Sequence, residues 1–106
     1  MDLDFYAGDS RNLIINVTDE NNTPINITGA TIKWILSSQD NNILTKSNGK
    51  GITISNAAQG QFTISLTDSD TKSLLGNYEH AARVTTLSGE SSIVLTGSII
   101  INKSLL

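Results

Sequence analysis

The sequence predicts an all-β fold, and three observations carry this prediction. Apolar and polar residues alternate with a period of two in several short segments, as they do in half-buried strands. Isoleucine is the commonest residue and threonine is abundant, and both favour the pleated surface of a sheet. No window of about eleven residues keeps the 3.6-residue period of an amphipathic helix, which excludes an all-α fold.

The length of 106 residues supports one domain. We therefore predict a single domain over residues 1–106, with the core of the fold in 5–102 and disorder in 1–4. The chain contains no cysteine, so neither a disulfide nor a thiolate metal site contributes to its stability.

The alternating segments follow one another along the chain, and each is a predicted strand. Trp34 shares the inward phase of its segment with Ile32 and Leu36, so we assign it to the core. Tyr78 and His80 share the inward phase of a later segment. The predicted strands begin with an apolar N-terminal strand at 5–9 and continue with 15–18, 31–36, 52–55, 62–66, 78–85, 93–95 and 99–101.

Turn residues separate these strands at short intervals, chiefly Asn, Asp, Gly and Ser. One connection is predicted to form a short helical turn near 68–75, because Thr67 and Asp68 are suitable N-caps and Gly76 follows as a stop. About seven or eight short antiparallel strands with such turns indicate a β-sandwich rather than a barrel or a βαβ fold.

Gly97 interrupts the apolar run of the last strand, and two interpretations remain open. It forms a bulge or bend that keeps the apolar face inward, or it admits the close approach of a partner's backbone. Phe5 and Tyr6 also leave two interpretations open. They belong to a strand that pairs with the sheet edge, or to an exposed arm that adds to a neighbour's sheet and makes an assembly contact.

We find no pattern of residues that indicates catalysis, a cofactor or a metal. His80 is the only histidine, so any triad, general base or histidine metal site would need it, and its strand phase favours a buried structural imidazole. Asp68 and Asp70 resemble the start of a calcium loop, but the required glycine and closing glutamate do not follow. Helix capping is the better interpretation of both aspartates, and we expect no enzyme activity.

The charge composition bears on the partners of the protein. The formal net charge of −3 gives no reason to expect nucleic acid or an anionic membrane as a partner. Charged residues make up only 16% of the chain, whereas serine, threonine and asparagine together supply 36 residues, so the predicted surface is polar but nearly uncharged. Few charges would have to leave water when such a surface packs against a neighbour.

An ordered set of landmarks over residues 5–101 resembles a known family. The set resembles the immunoglobulin-like module of tailed-bacteriophage structural proteins, in particular the N-terminal domain of the baseplate upper protein family. The most specific parts are the stretch Pro24–Trp34, the Gly60-x-Phe62 segment, Gly76-x-Tyr78-x-His80 and Gly97.

The resemblance implies an immunoglobulin-like β-sandwich whose matching residues are architectural. It implies turn positions for Gly29 and Gly76, core positions for Trp34 and Phe62, and a tyrosine corner at Tyr78, whose hydroxyl bonds back across the preceding connection.

It also implies a non-enzymatic structural protein of the phage virion, assembled in the host cytoplasm. Such a protein acts as an adaptor or decoration module in the tail, baseplate or fibre-attachment region, with other phage structural proteins and copies of itself as partners. Family members usually continue into a coiled coil or a receptor-binding region, whereas this chain stops at Leu106, so we do not expect it to bind a host receptor directly.

Two alternatives remain at this point. A capsid decoration or cement protein needs the same compact sandwich. A carbohydrate-binding β-sandwich needs aromatic side chains on which sugars stack, and often calcium ligands. The chain offers few of either, since it contains only five residues of the Phe, Trp and Tyr types.

Overall fold

The computed structural model describes residues 1–106 and contains eight strands and two short helices. A 3₁₀ helix covers Ala57–Gln59, and the helix α1 covers Asp68–Thr71. The strands are β1 Leu3–Tyr6, β2 Arg11–Asn16, β3 Thr31–Ser38, β4 Asn41–Asn48, β5 Gly51–Asn56, β6 Gln61–Leu66, β7 Gly76–Thr85 and β8 Ser91–Asn102. Neither helix has the length and hydropathy needed to span a membrane.

The strands follow the order β1-β8-β7-β3-β4-β5-β6-β2 in one sheet. Most neighbours are antiparallel, but the short contact between β4 and β5 is parallel, and β1 runs parallel to β8, with Leu3 opposite Ile99 and Phe5 opposite Ile101. The contact between β4 and β5 involves only two residue pairs, at the corner where one strand leads into the other. This corner divides the curled sheet into a larger half (β1, β8, β7, β3 and β4) and a smaller half (β5, β6 and β2).

The predicted all-β class is confirmed, and the number of strands agrees with the prediction. The sandwich is not confirmed, because hydrogen bonds across the β4–β5 corner join all the strands into one sheet. The predicted helical turn is present but shorter than 68–75, since α1 ends at Thr71 and Gly76 already begins β7.

The core lies between the two halves and consists of the inward side chains of both. Trp34 from the larger half and Phe62 from the smaller half are completely buried, as their strand phases predict. The other buried apolar residues include Ile27, Ile32, Ile52, Ile64, Ile99 and Ile101, so β-branched side chains fill most of the space between the halves.

The strand β4 is absent from the sequence prediction, which has only turns near its two ends. Its apolar residues Ile43 and Leu44 are adjacent, so they do not alternate. A further inward position is occupied by Lys46, which lies opposite the buried Trp34 and bonds to Asp70 at 2.7 Å. A charged residue therefore replaces the apolar one that would have revealed the strand.

The structure differs from the expected disorder of residues 1–4. Leu3 and Asp4 open β1, and Asp2 accepts hydrogen bonds from the backbone and the side chain of Ser98 at 3.0 and 3.3 Å. The N-terminal residues are therefore joined to β8 by backbone pairing and by the hydrogen bonds that the Asp2 carboxylate accepts from Ser98.

Candidate interaction surface

The single histidine lies in a buried hydrogen-bond chain. Trp34 on β3 donates its indole N–H to Nδ1 of His80 on β7 at 3.0 Å. The other ring nitrogen, Nε2, lies 2.7 Å from the carbonyl oxygen of Met1. Since Nδ1 accepts, Nε2 carries the proton and donates it to that carbonyl, which fixes the tautomer of the neutral imidazole.

Burial determines the protonation of His80, whose side chain is only 3% exposed. Desolvation by burial is the largest cause that lowers the pKa of His80 from 6.5, and the nearby N-terminal ammonium lowers it further. Together they outweigh the hydrogen bond to Met1 and the Asp2 carboxylate, which raise the pKa. Protonation at Nδ1 would also turn the acceptor of the Trp34 bond into a second donor. Both ring nitrogens are therefore occupied by hydrogen bonds within the chain.

Gly97 provides the space through which the Met1 carbonyl reaches His80. Gly97 lies directly opposite His80 across the β7–β8 ladder. A Cβ atom built there would come within 2.6 Å of the carbonyl carbon of Met1 and closer still to its oxygen. Gly97 thus admits a close backbone approach, but the approaching segment is this chain's own N-terminus and not a partner's backbone. The predicted bulge lies elsewhere, at Val94, where the register with β7 shifts between Ala82 and Arg83.

Tyr78 is bonded back to the connection that precedes β7, as a tyrosine corner requires. Its hydroxyl accepts a hydrogen bond from the backbone N–H of Leu75 at 3.0 Å and donates to the carbonyl of the same residue at 3.1 Å. Gly76 lies between them with a φ of +107°, a conformation that few other residues adopt. Gly29 also occupies a turn, with a φ of +75°.

The helix α1 fixes the corner between β1 and β2. Thr67 and Asp70 form a reciprocal capping box at its N-terminus, as predicted for Asp70, whereas Asp68 is the first residue of the helix and Thr67 is its N-cap. The buried Thr71 hydroxyl accepts from the N–H of Gly8 at 3.0 Å and donates to the carbonyl of Asp9 at 2.9 Å. The corner is thus bonded to the connection between β6 and β7.

Asp70 also joins α1 to the larger half of the sheet through Lys46. Burial raises the pKa of the Asp70 carboxyl, but hydrogen bonds from Lys46 and Thr67 outweigh it and hold the pKa below its usual value. No group of three or more histidine, aspartate or glutamate side chains is arranged to hold a metal ion.

Phe5 and Tyr6 have different environments although they are neighbours on β1. Phe5 is buried against the core, and the Arg11 guanidinium lies 5.5 Å from the centre of its ring. Tyr6 is 56% exposed. The strand that carries them pairs with β8 of the same chain, so the edge-strand interpretation describes this structure, and only Tyr6 is available for an assembly contact.

One candidate interaction surface is the outward side of β8, β7, β3 and β4, which we call the outer face. Its middle row contains the small or neutral side chains of Thr96, Ala81, Ile35 and Thr45, which lie opposite one another on the four strands. Two shallow depressions of about 570 and 560 Å³ open on this face. The wider outer face also includes Ser37, Ser98, Ile93 and Ile100.

Charges occupy the two ends of the outer face. Lys33 and Arg83 lie directly opposite each other at one end. Glu79 lies at the other end, opposite Ser98, which binds the Asp2 carboxylate. The two ion pairs of the structure, Arg11–Asp9 and Lys46–Asp70, involve none of these residues.

Strand edges form a second kind of candidate surface. The end strands β1 and β2 each pair with only one neighbour, so each presents backbone groups that no strand of this chain binds. The free side of β4 over residues 41–46 is similar, because its contact with β5 is limited to Ser47 and Asn48.

Comparison with known proteins identifies no related protein, since the sequence matches no family model and no curated protein. Its function is therefore inferred from its own residues and geometry.

Sequence reasoning missed the roles of two residues and one pairing between strands. Met1 and Thr71 are bonded to residues more than sixty positions away, and no local pattern indicates such partners. The pairing of Lys33 with Arg83 depends on the register between β3 and β7, which the sequence alone does not specify.

Proposed function

We propose that this chain is a non-enzymatic structural protein of a tailed-bacteriophage virion. It acts as an adaptor or decoration module in the tail, baseplate or fibre-attachment region, and its partners are other virion proteins and copies of itself. Surface complementarity, multiplied over many copies on one particle, supplies the binding energy.

The strand order supports an immunoglobulin-like module as the basis of this role. In immunoglobulin folds, the strands B, E and D share one sheet, and G, F and C share the other. The order β2-β6-β5 corresponds to the first set, and β8-β7-β3 to the second, with β4 in the place of an additional strand. The parallel pairing of β1 with β8 joins the N-terminal strand to the last strand.

Two side chains support the same correspondence. The buried Trp34 lies on β3, which takes the place of strand C, where such sandwiches have a buried tryptophan. Tyr78 lies near the start of β7, in the place of strand F, and bonds back to Leu75 as the tyrosine corner does. These positions agree with the landmarks on which the phage resemblance depends.

The observation that carries the proposal of an assembly role is the outer face. It spans four strands, the side chains of its middle row are neutral, and its charged side chains lie towards its two ends. Packing such a surface against another protein removes few charges from water. The occupied ring nitrogens of His80 support a structural rather than a catalytic use of the only histidine.

Labelling of assembled particles tests the proposal. An epitope tag inserted in the exposed loop between β7 and β8, next to Leu87, leaves both the outer face and the core unchanged. Antibody-gold particles should decorate the tail, baseplate or fibre region of virions made by the phage or prophage that encodes the chain. Decoration of the head would instead identify a capsid decoration protein, and undecorated particles that lack the chain would contradict both roles.

The control is the same tag on a host cytosolic protein of similar size. It should leave the particles unlabelled, which separates incorporation from adherence of lysate proteins during purification.

A further inference from the structure

Two cationic side chains lie opposite each other on the outer face, and neither forms an ion pair with a carboxylate of the chain. Lys33 on β3 and Arg83 on β7 are paired in register, so their Cβ atoms lie about 5 Å apart. Like charges directly opposite each other destabilise a sheet, and no carboxylate of this chain forms an ion pair with either cation. The arrangement fits a carboxylate that comes from outside the chain.

Glu79 is the complementary group on the same face. It also forms no ion pair within the chain, and it precedes Arg83 by four residues on β7. Ala81 lies midway between them, so Glu79 and Arg83 are each about 7 Å from the Ala81 row along the strand. The side chains of the outer face are therefore acidic towards one end, basic towards the other and neutral in the middle. The N-terminal ammonium lies at the edge of the middle row, where it donates to the Thr96 carbonyl at 2.7 Å.

We propose that a second copy of this chain packs its outer face against this one about a two-fold axis. The axis lies in the interface and runs across the strands, over the row that contains Thr96, Ala81 and Ile35. A rotation about it reverses the strand direction, so Glu79 of each copy faces Arg83 of the other. Lys33 then lies beside the same carboxylate, and both opposed cations are compensated.

This inference rests on the proposed function. It makes that function more specific, because it names a second copy of the chain as a partner of the outer face. No side chain of the middle row is charged or longer than that of Ile35, so the two sheets can approach at the usual spacing of about 10 Å. Two-fold symmetry makes every contact occur twice, so each dimer contains two Glu79–Arg83 pairs.

The size of the face sets the expected affinity. Four strands about 4.8 Å apart and about nine residues long cover roughly 570 Å² on each copy. This is below the usual value of about 800 Å² per partner for a stable complex. We therefore expect a weak dimer in solution, with dissociation in the micromolar range or above, that is reinforced when many copies are held on one particle.

Sedimentation velocity over protein concentrations from about 1 µM to 1 mM tests the inference. The unchanged protein should show a reversible monomer–dimer equilibrium that weakens at high salt, because screening acts on the charge pairs. The variants E79R and R83E should each weaken dimerisation at least about tenfold, since each brings like charges together. The double variant E79R/R83E should restore it to within a few-fold, because the exchanged charges again face each other.

Matched control variants come from charges far from the outer face. E20R lies in the exposed turn that follows β2, and K72E follows α1, and neither residue forms an ion pair in the chain. Both should dimerise like the unchanged protein. Glu79 and Arg83 are exposed strand residues, so circular dichroism should give the same fold for all five variants.

Three results would overturn the inference. They are a protein that stays monomeric throughout the concentration range, a dimer that E79R and R83E leave intact, and a double variant no better than the single ones. These outcomes are distinct from failure of the virion role. A monomeric protein found in particles overturns only the self-pairing, and a dimer absent from particles overturns only the proposed function.

Discussion

Replacement of Gly97 by alanine tests how the N-terminus is held against the sheet. The new methyl group would occupy the position of the Met1 carbonyl, so Met1 must move. Its movement breaks the 2.7 Å bond from His80 Nε2 to that carbonyl and the 2.7 Å bond from the Met1 nitrogen to the Thr96 carbonyl.

The size of the expected loss in the free energy of unfolding depends on the burial of His80. A buried donor that loses its acceptor costs about 1–3 kcal/mol, and the exposed Met1–Thr96 bond adds about 0.5–1 kcal/mol. Alanine offsets about 0.5–1 kcal/mol of this loss, because glycine is unfavourable within a strand. We expect G97A to lower the free energy of unfolding by about 1–3 kcal/mol and the melting temperature by roughly 4–12 °C.

The assay is urea denaturation of four proteins that form a double-mutant cycle. They are the unchanged chain, G97A, a chain in which Asp2 is deleted so that the starting Met takes its place, and the combination of the two changes. In the shortened chain no residue occupies the position of Met1, so G97A should be neutral or slightly stabilising there.

Two outcomes would refute this reasoning. One is a G97A protein as stable as the unchanged chain. The other is an equal loss of stability in the full and the shortened chain, since the cost would then come from the strand itself.

Three further predictions concern the residues that hold the fold together. Burial lowers the pKa of His80, so the unfolded chain binds a proton that the folded chain does not, and the free energy of unfolding should fall as the pH decreases from about 7 to 5. The variant H80Q should flatten this dependence in urea titrations, and an equal slope in both proteins would contradict the assignment. Y78F removes the two hydrogen bonds to Leu75 and should cost about 1–2 kcal/mol in the same assay, whereas an unchanged midpoint would argue against the corner. T71V leaves Gly8 N–H without its acceptor, so it should cost about 1–3 kcal/mol and speed proteolysis between β1 and β2, and unchanged cleavage there would refute the role of Thr71.

Local patterns were enough to predict the class of the fold and much of the core. Period-two alternation places Trp34 and Phe62 inside because a strand has only two faces, and one of them must be apolar in a small domain. The same reasoning fails at β4, where Lys46 occupies an inward position and bonds to Asp70. A pairing between distant residues replaces the apolar pattern there.

The candidate surfaces depend on strand pairing, which local patterns do not specify. Trp34 and His80 are 46 residues apart in sequence and meet only because β3 and β7 are neighbours. The opposition of Lys33 and Arg83 needs the register as well as the neighbour, since a slip by one residue would turn one side chain to the other face. Gly97 was recognisable as unusual, but the residue that fills its space is at the other end of the chain.

The most direct test of the central claim, that this chain is a virion component, is its copy number in purified particles. Quantitative mass spectrometry should be applied to particles purified on a density gradient, with the major capsid protein as the internal standard. We predict that the chain sediments with the particles at a constant ratio to that standard across the gradient peak and after a high-salt wash. A chain that remains in the lysate at the top of the gradient, with none in the particle fractions, would contradict the account.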